Sequence, residues 1–358
     1  MKITIVGGGN IGTQFAIHCS QENNVTIFTS TPECFIKNAR IIDENNNTIL
    51  EGKNIKATNK LDAAFSEADL IFITYPAFSM DELARKIVPY ARKGLKIGIV
   101  PGTGGGECAF NDAIRKGATV FGLQRVPSVA RLVEKGKCVR AIGYRNELFV
   151  ASLPNIEKES IAKIIESIFK INCTALPNYL NLTLTPSNPI LHTTRLRTIF
   201  KNYKNGKVYE SLPLFYEEWD DDTSKLLFKC DDEVQNICKA IKQFDLSYVK
   251  SLKEHYDSET PQKLTAKIRS IDGFKGLTTP SIKVENGVIP DFNSRYFTAD
   301  FSYGLSILIQ IGEMFGLNIK NMSETMKWYR SVSNDIKEFS FKNYNIKNTA
   351  DFIKFYGK

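Results

Sequence analysis

Three glycines near the N-terminus have the spacing of a phosphate-binding turn. Gly7, Gly9 and Gly12 follow the mainly apolar residues 2–6, which are typical of a buried strand. Residues 11–19, which include Gly12, are predicted to form a helix. In that order the first glycine permits a tight turn, the second lets the backbone approach a pyrophosphate, and the third lets the helix pack on the strand. The pattern predicts a dinucleotide site, with a glycine turn that binds no ligand as the alternative. The predicted contacts, which include backbone N–H groups at the helix start, are Gly7, Gly9, Asn10, Ile11 and Gly12.

The end of the second predicted strand bears on the choice of nicotinamide cofactor. In NAD-binding sites an acidic residue here accepts the ribose hydroxyls, but the expected position is Thr29, and Glu33 follows only four residues later. Hydroxyls and cations are present instead, at Thr29, Ser30, Thr31, Lys37 and Arg40. Because these side chains could bind a 2′-phosphate, we expect NADP rather than NAD. Ser30 or Thr31 could also cap the helix that follows.

A second glycine-rich loop, residues 101–106, lies between the predicted strand 96–100 and a helix. It therefore falls at the carboxyl edge of the predicted sheet, where open α/β sheets bind their ligands. The residues that follow the apolar strand 69–74 reach the same edge. A flexible turn is the alternative, although a turn needs one glycine and this loop has four. At this edge we expect cofactor contacts from Tyr75, Pro76, Gly102 and Thr103.

The chain has three histidines, and their contexts differ. His18 lies within the first helix and is predicted to be structural, while His255 lies at a polar helix end and is predicted to be on the surface. His192 enters the first helix of the second domain, where we expect it to face an interdomain cleft. A histidine exchanges protons near neutral pH, which makes His192 the candidate acid/base residue. A purely structural histidine at a helix start is the alternative.

The elements that must position these residues alternate in the first half of the chain. Besides residues 2–6, strands are predicted at 25–28, 69–74, 96–100, 118–123, 137–143, 147–152 and 170–175, with helices between them and a hairpin insertion in 40–58. Alternation of this kind predicts a doubly wound, mostly parallel sheet, the Rossmann arrangement.

The second half is predicted to be all-α. Three prolines between 177 and 189 mark a change in composition, so the predicted domains are 1–178 and 179–358. Helices are predicted at 190–203, 224–243, 246–255, 261–270, 300–315 and 322–340.

Composition excludes several classes of protein. With 42% hydrophobic and 24% charged residues, the chain has the composition of an ordinary globular protein and no apolar run long enough to span a membrane. Because Met1 leads directly into the first predicted strand, we expect no leader. The net charge of +8 is dispersed, which argues against nucleic acid. The seven scattered cysteines lack metal-type spacing and predict reduced thiols in the cytoplasm and no metal site.

Four segments in order, GGGNIG, PGTGGGE, TPSNPILH and NSRYFTADFSYGL, resemble the octopine/nopaline (opine) dehydrogenase family. The chain is also similar to bacterial N-(carboxyalkyl)amino acid dehydrogenases. The resemblance implies a Rossmann domain followed by a helical domain. It assigns His192 as acid/base residue, Asp300 as the carboxylate that orients it, and Arg295 as the group that binds a substrate carboxylate. An interdomain salt bridge is the alternative for Arg295, and Asn188 either contacts substrate or caps its helix.

The reaction implied by this resemblance joins an amino acid to a 2-oxo acid and reduces the imine with NAD(P)H. The expected partners are these small molecules, with a homodimer left open and with neither nucleic acid nor membrane. A ketopantoate-type 2-oxo-acid reductase and a non-catalytic nucleotide sensor are the alternatives. The acidic run 217–222 would favour a basic amino donor if it faced the cleft, and is otherwise a solvated loop.

Overall fold

A computed structural model describes residues 1–185, 188–204, 206–334 and 336–358. The chain forms two compact units: Met1–Thr183 with Lys354–Lys358, and Leu184–Ile353. The division falls slightly after the predicted boundary at 178. The predicted second domain also ran to the last residue, whereas Lys354–Lys358 belongs to the first unit. In the first unit Asn178 donates a hydrogen bond to the carbonyl oxygen of Tyr356 at 2.7 Å. Because 178 residues separate the two, no local sequence pattern predicts this contact.

The first unit is built on a sheet of eight strands. The strands of the unit are β1 (Lys2–Val6), β2 (Asn24–Phe28), β3 (Arg40–Ile42), β4 (Thr48–Glu51), β5 (Lys56–Thr58), β6 (Leu70–Ile73), β7 (Lys96–Ile99), β8 (Thr119–Leu123), β9 (Val129–Glu134), β10 (Cys138–Ile142), β11 (Glu147–Leu153) and β12 (Asn172–Ala175). The large sheet has the order β12-β11-β8-β7-β6-β1-β2-β5, and all its pairs are parallel except β11 with β8. This confirms the predicted doubly wound fold.

Helices cover the sheet and bury both of its faces. They are α1 (Asn10–Cys19), α2 (Leu61–Phe65), α3 (Met80–Ile87), α4 (Gly106–Ala109), α5 (Asn111–Arg115), α6 (Lys158–Phe169) and α7 (Leu180–Thr183). Along β6, Leu70 and Phe72 enter one apolar core, while Ile71 and Ile73 enter the other. Because side chains alternate across a strand, the continuous apolar run of β6 is what a strand buried on both faces requires.

A smaller sheet, β4-β3-β10-β9, corrects the prediction in two places. The hairpin expected in 40–58 is present as β3 and β4, but β5 leaves it and pairs in parallel with β2. The strand expected at 137–143 is β10, which pairs with β3 and β9 instead of joining the large sheet. Sequence reasoning missed β9, since this strand is largely exposed and has no continuous apolar run.

The second unit is mainly helical, as predicted, with one correction. Its helices are α8 (Asn188–Ile199), α9 (Asp221–Ala240), α10 (Leu252–Tyr256), α11 (Pro261–Arg269), α12 (Arg295–Thr298), α13 (Ser306–Met314) and α14 (Lys320–Val332), and α15 (Thr349–Tyr356) begins in it. An antiparallel hairpin of β13 (Ser281–Val284) and β14 (Gly287–Pro290) contradicts the all-α prediction. The Asn286-Gly287 dipeptide is the usual signal for such a turn, but β13 is fully exposed and has no buried face to reveal it.

Several predicted helices have different bounds: those expected at 190–203 and 246–255 are α8 (Asn188–Ile199) and the short α10 (Leu252–Tyr256). The helix expected at 300–315 consists of a π-helical turn, Asp300–Leu305, followed by α13. The helix expected at 322–340 ends at Val332, and residue 335 within that prediction lies outside the described residues. The π-helical turn matters for the site below because it begins with Asp300.

Candidate functional site

The N-terminal glycines have the backbone geometry that their spacing predicts. Gly7 has a φ of +109°, which side chains rarely tolerate. A Cβ on Gly12 would lie 1.8 Å from the Gly7 carbonyl oxygen, so only glycine lets α1 approach β1 this closely. A Cβ on Gly9 would meet nothing within 4 Å, so the backbone at the start of α1 is approachable. The residues present therefore fit a bound dinucleotide, whose contacts stay a prediction.

Asn10 and Ile11 do not offer their side chains freely to a cofactor. The Asn10 side-chain oxygen accepts a hydrogen bond from the Leu132 N–H at 2.8 Å, which ties α1 to β9. Ile11 packs against the apolar core. Any part that these residues take in phosphate binding falls to their backbone N–H groups, which lie in the first turn of α1.

Residues 29–33, which directly follow β2, include no buried carboxylate. Thr29 is buried and its hydroxyl accepts a hydrogen bond from the Thr31 N–H at 3.4 Å, whereas Ser30 and Glu33 are exposed. Thr31 precedes a 3-10 turn, Pro32–Cys34, without a capping hydrogen bond from its side chain. The Thr31 hydroxyl is buried and has no hydrogen-bond partner in the part of the chain that the structure describes. This orphaned donor fits a cofactor oxygen better than it fits the capping alternative.

The two loops expected to line the cofactor differ in character. Tyr75 is 39% exposed, and its ring lies 3.0 Å from the position of a Cβ on Gly7, so it borders the glycine turn. Pro76, which follows it, is exposed. Gly102 is buried, and a Cβ there would lie 2.6 Å from the Cα of Gly122. This glycine therefore has a packing reason independent of any ligand, while Thr103 beside it is half-buried.

His192 and Asp300, which are far apart in the sequence, are brought into direct contact. The His192 Nδ1 lies 2.7 Å from the Asp300 Oδ2, and the histidine is 4% exposed. A Cβ on Gly304 would lie 2.8 Å from Pro189, so this glycine lets the π-helical turn approach the start of α8. π-helical turns are rare and occur frequently at functional sites. Since a carboxylate only accepts, we assign the Nδ1 proton to the histidine and leave Nε2 as its base.

Tyr216 is a residue of this centre that sequence reasoning did not assign. Its hydroxyl lies 2.7 Å from the Nε2 of His192. The histidine ring also meets Tyr296 edge-on at 4.3 Å and Phe215 at 5.6 Å between ring centroids. The sequence shows aromatic residues here, but nothing in their spacing places them beside a histidine on another element.

Arg295 begins α12 and has an exposed side chain. Within its own unit no ion pair joins it to an acidic side chain of the described residues, and the salt-bridge alternative stays open. Asn188 is the first residue of α8, one turn before His192, and is also exposed. Pro186 and Ser187, which precede it in the TPSNPILH segment, lie outside the described residues.

The acidic run 217–222 has mainly structural contacts. Glu217 accepts a hydrogen bond from the Gly276 N–H at 2.6 Å, and Glu218 accepts one from the Leu214 N–H at 2.7 Å. Asp220 caps α9 and pairs with the buried Arg195 at 2.7 Å. Asp221 and Asp222 follow in the first turn of α9, where acidic side chains favour the helix dipole. These contacts give no support to a basic-substrate role.

The other histidines and the cysteines agree with structural roles. Burial lowers the pKa of His18 to about 4, and His255 is exposed. Burial raises the pKa of Cys173 to about 12 and that of Cys19 well above its usual value, so neither thiol is a ready nucleophile. No group of three histidine, cysteine or acidic side chains suited to a metal ion occurs among the described residues. No helix in the described ranges is long and apolar enough to cross a membrane.

Comparison with known proteins gives family matches for both units. Residues 175–333 match the family model for the NAD/NADP octopine/nopaline dehydrogenase α-helical domain, and residues 2–103 match that for the NAD-dependent glycerol-3-phosphate dehydrogenase N-terminus. Tauropine dehydrogenase of Arabella iricolor is 25% identical, over 92% of this chain and 91% of its own length. Octopine dehydrogenase of Mizuhopecten yessoensis is 25% identical, over 92% and 89%.

A solved structure of octopine dehydrogenase with NADH and L-arginine has the same fold. It superposes with a TM-score of 0.85 at 20% identity, and the match covers 100% of this chain and 98% of that one.

Proposed function

We propose that this chain, which belongs to the octopine/nopaline dehydrogenase family, condenses the amino group of an amino acid with a 2-oxo acid and reduces the resulting imine with NAD(P)H. The observation that carries the proposal is the contact of 2.7 Å between the buried His192 and the partly buried Asp300. An oriented histidine supplies the proton transfers that condensation needs, and the cofactor supplies hydride when it is bound.

The geometry of the pair supports the roles proposed for its two members. Nε2 of His192 takes a proton from the substrate ammonium group, which frees the amine to attack the oxo carbon. A second proton moves from the attacking nitrogen to the new alkoxide oxygen, and the proton held on Nε2 then returns to the same oxygen, which leaves as water. Asp300 holds the ring orientation and stabilises the imidazolium that exists between these steps.

Arg295 is the proposed holder of the oxo acid. Its guanidinium can bind a carboxylate through two parallel N–H donors, which fixes the position of the adjacent carbonyl carbon. The exposure of its side chain supports this role. Asn188, one turn before His192, is proposed as a further substrate contact, since exposed amides donate and accept hydrogen bonds.

The test is the rate of NADPH oxidation with a 2-oxo acid in the presence and absence of amino acids. Pyruvate, 2-oxoglutarate and glyoxylate are each crossed with the amino acids. We expect oxidation to depend on both substrates and to be lost in His192→Asn. His255→Asn, at an exposed histidine, is the matched control and should keep wild-type rates. A 2-oxo-acid reductase would instead work equally well without an amino acid, and a nucleotide sensor would show no turnover for His192→Asn to remove.

For the cofactor we propose a preference for NADP over NAD. The dinucleotide-binding fold and the glycine turn fit either form. The proposal for NADP rests on the hydroxyls at Thr29, Ser30 and Thr31. None of these three positions has the carboxylate that would accept the ribose hydroxyls of NAD. Ser30→Asp should reverse the ratio of kcat/KM for NADPH and NADH, because an acid repels the 2′-phosphate and accepts ribose hydroxyls. Ser247→Asp, at another exposed serine, should leave the ratio unchanged.

The cytoplasm is the proposed compartment. All seven cysteines are free, including the buried ones, which agrees with a reducing environment.

A further inference from the structure

Both ring nitrogens of His192 already have partners within its own unit. Nδ1 meets Asp300 at 2.7 Å and Nε2 meets the Tyr216 hydroxyl at 2.7 Å. The His192 side chain is only 5% exposed, and Tyr216 is 4% exposed. Among the described residues, Tyr216 is the hydrogen-bond partner at the nitrogen that must exchange a proton during turnover. A proton that leaves Nε2 along an existing hydrogen bond therefore goes to this hydroxyl.

The Tyr216 ring is held by aromatic contacts. It stacks on Phe274 with centroids 4.0 Å apart and rings 15° from parallel, and meets Phe215 edge-on at 4.8 Å. Trp219, fully buried, is parallel to it at 6.2 Å. Such contacts fix a ring and leave its hydroxyl hydrogen free to rotate. The packing therefore holds the Tyr216 oxygen in one position.

The backbone around Tyr216 is also tied to the helix that bears His192. Arg195, one turn further along α8 and 1% exposed, donates hydrogen bonds to the carbonyl oxygens of Phe215 at 2.9 Å and Glu218 at 2.7 Å. Burial of a guanidinium is unfavourable in free energy unless its N–H donors are hydrogen-bonded. Here these donors bind the backbone on both sides of Tyr216. One helix thus positions both the imidazole and the backbone that presents the hydroxyl.

The charge of Arg295 reaches the same hydroxyl. Burial raises the pKa of Tyr216 well above its usual value, the neighbouring Tyr296 and Asp300 raise it further, and Arg295 opposes them. If Arg295 holds the carboxylate of the oxo acid, the Tyr216 hydroxyl lies in the electrostatic neighbourhood of the reacting carbon.

We propose that Tyr216 is a further catalytic residue, whose hydroxyl relays the proton between His192 Nε2 and the reacting nitrogen and oxygen of the substrates. This inference rests on the proposed function. The substrate ammonium gives a proton to the Tyr216 oxygen while the tyrosine's own proton passes to Nε2. One N–H bond of the substrate breaks, one N–H bond forms on His192, and the tyrosine is neutral before and after.

The reverse relay completes the condensation. After the amine attacks the oxo carbon and its second proton moves to the new alkoxide, the imidazolium returns its proton through Tyr216 to the carbinolamine hydroxyl. The C–O bond breaks, water leaves, and the iminium carbon is ready for hydride. The raised pKa of Tyr216 means that free tyrosinate is not formed, so the two proton movements occur together.

Tyr216→Phe tests the relay, because it keeps the ring and removes only the hydroxyl. We expect kcat to fall about 100-fold or more, with the KM for the oxo acid and the affinity for NADPH little changed. Tyr203→Phe, at a tyrosine with no hydrogen bond to His192, is the matched control and should keep wild-type kcat. A Tyr216→Phe enzyme that retains kcat, or that changes only KM, overturns the proposal.

A second measurement uses the wild-type enzyme, so its outcome does not depend on whether a variant folds. In single turnovers, the rate of condensation is followed in mixtures of H2O and D2O. Two protons in flight give a bowed dependence on the deuterium fraction. A linear or flat dependence contradicts the relay.

A third measurement separates failure of the relay from failure of the proposed function. The chain has only three histidines, so ring-nitrogen NMR with labelled histidine gives few signals. Without substrate, Tyr216→Phe should shift the Nε2 signal of His192 and leave those of His18 and His255 in place. An unshifted signal overturns the hydrogen bond itself. A shifted signal in a protein without amine-dependent turnover would leave the hydrogen bond standing and reject the proposed function together with the relay.

Discussion

At the scale of single residues, the site contains polar side chains whose burial would be unfavourable in free energy if they had no hydrogen-bond partners. His192 and Arg195 are buried polar side chains, and each is stable only because its donors and acceptors are satisfied. Removal of one partner therefore leaves the other partner buried and unpaired. This dependence makes substitutions at the centre informative about chemistry as well as stability.

Asp300→Asn should impair the chemistry far more than the fold. The amide can still hydrogen-bond to the histidine, but it cannot stabilise an imidazolium, and it favours the wrong tautomer. We expect kcat to fall about 100-fold or more, with little change in cofactor affinity. Steady-state kinetics together with NADPH titration measures both. Asp291→Asn, in the loop before α12, is the control. An Asp300→Asn enzyme with wild-type kcat would contradict the role given to the pair.

Arg295→Lys should weaken binding of the oxo acid while it keeps the positive charge. A lysine lacks the planar pair of donors that grips a carboxylate. We expect the KM for the oxo acid to rise about 10-fold or more, with the KM for the cofactor unchanged. Arg115→Lys, at an exposed arginine of the other unit, should change neither value. A wild-type KM for the oxo acid in Arg295→Lys would remove this residue from the substrate site.

At the scale of elements, α8 and the π-helical turn Asp300–Leu305 carry the centre, and their contact depends on Gly304. Gly304→Ala should push the turn away from Pro189, because the added Cβ would lie 2.8 Å from it. We expect a loss of about 1–3 kcal/mol in unfolding free energy together with reduced kcat. Gly273→Ala, where a Cβ meets nothing within 4 Å, is the matched control. Denaturant unfolding of both variants checks the prediction, and equal stabilities would contradict it.

The sequence predicted elements better than it predicted their partners. The apolar run of β6 and the glycine spacing before α1 revealed local structure, because burial on both faces and tight turns leave local signatures. His192 and Asp300 were paired through the family resemblance, since 108 residues separate them and no periodicity joins them. Tyr216 was missed as a partner for the same reason. β9 and β13 were missed because exposed strands carry little apolar pattern.

At the scale of the whole molecule, stability should depend on a buried carboxylic acid in the first unit. Glu107 is fully buried, and one of its oxygens accepts hydrogen bonds from Thr183 at 3.2 Å and from Tyr356 at 2.7 Å. Its other oxygen has no partner among the described residues. Burial raises the pKa of Glu107 from 4.5 to about 7, against the opposing effect of these hydrogen bonds.

The sign of the effect follows from which state loses its proton first. Between pH 4.5 and about 7 the unfolded chain has released the Glu107 proton and the folded chain retains it, so stability falls as pH rises through this window. The full effect is on the order of 3 kcal/mol. Glu107→Gln, which resembles the protonated acid, should remove this part of the slope. Urea unfolding at several pH values measures it, and parallel profiles for variant and wild type would contradict the prediction.

Under the proposed function, one turnover joins two substrates and reduces the bond between them. The most direct measurement is mass analysis of the product formed from an amino acid, a 2-oxo acid and NADPH that carries deuterium at the transferred position. The expected product is a secondary amine that contains both carbon skeletons, with deuterium on the carbon that had been the oxo carbon. A deuterated 2-hydroxy acid, with the amino acid recovered unchanged, would contradict it.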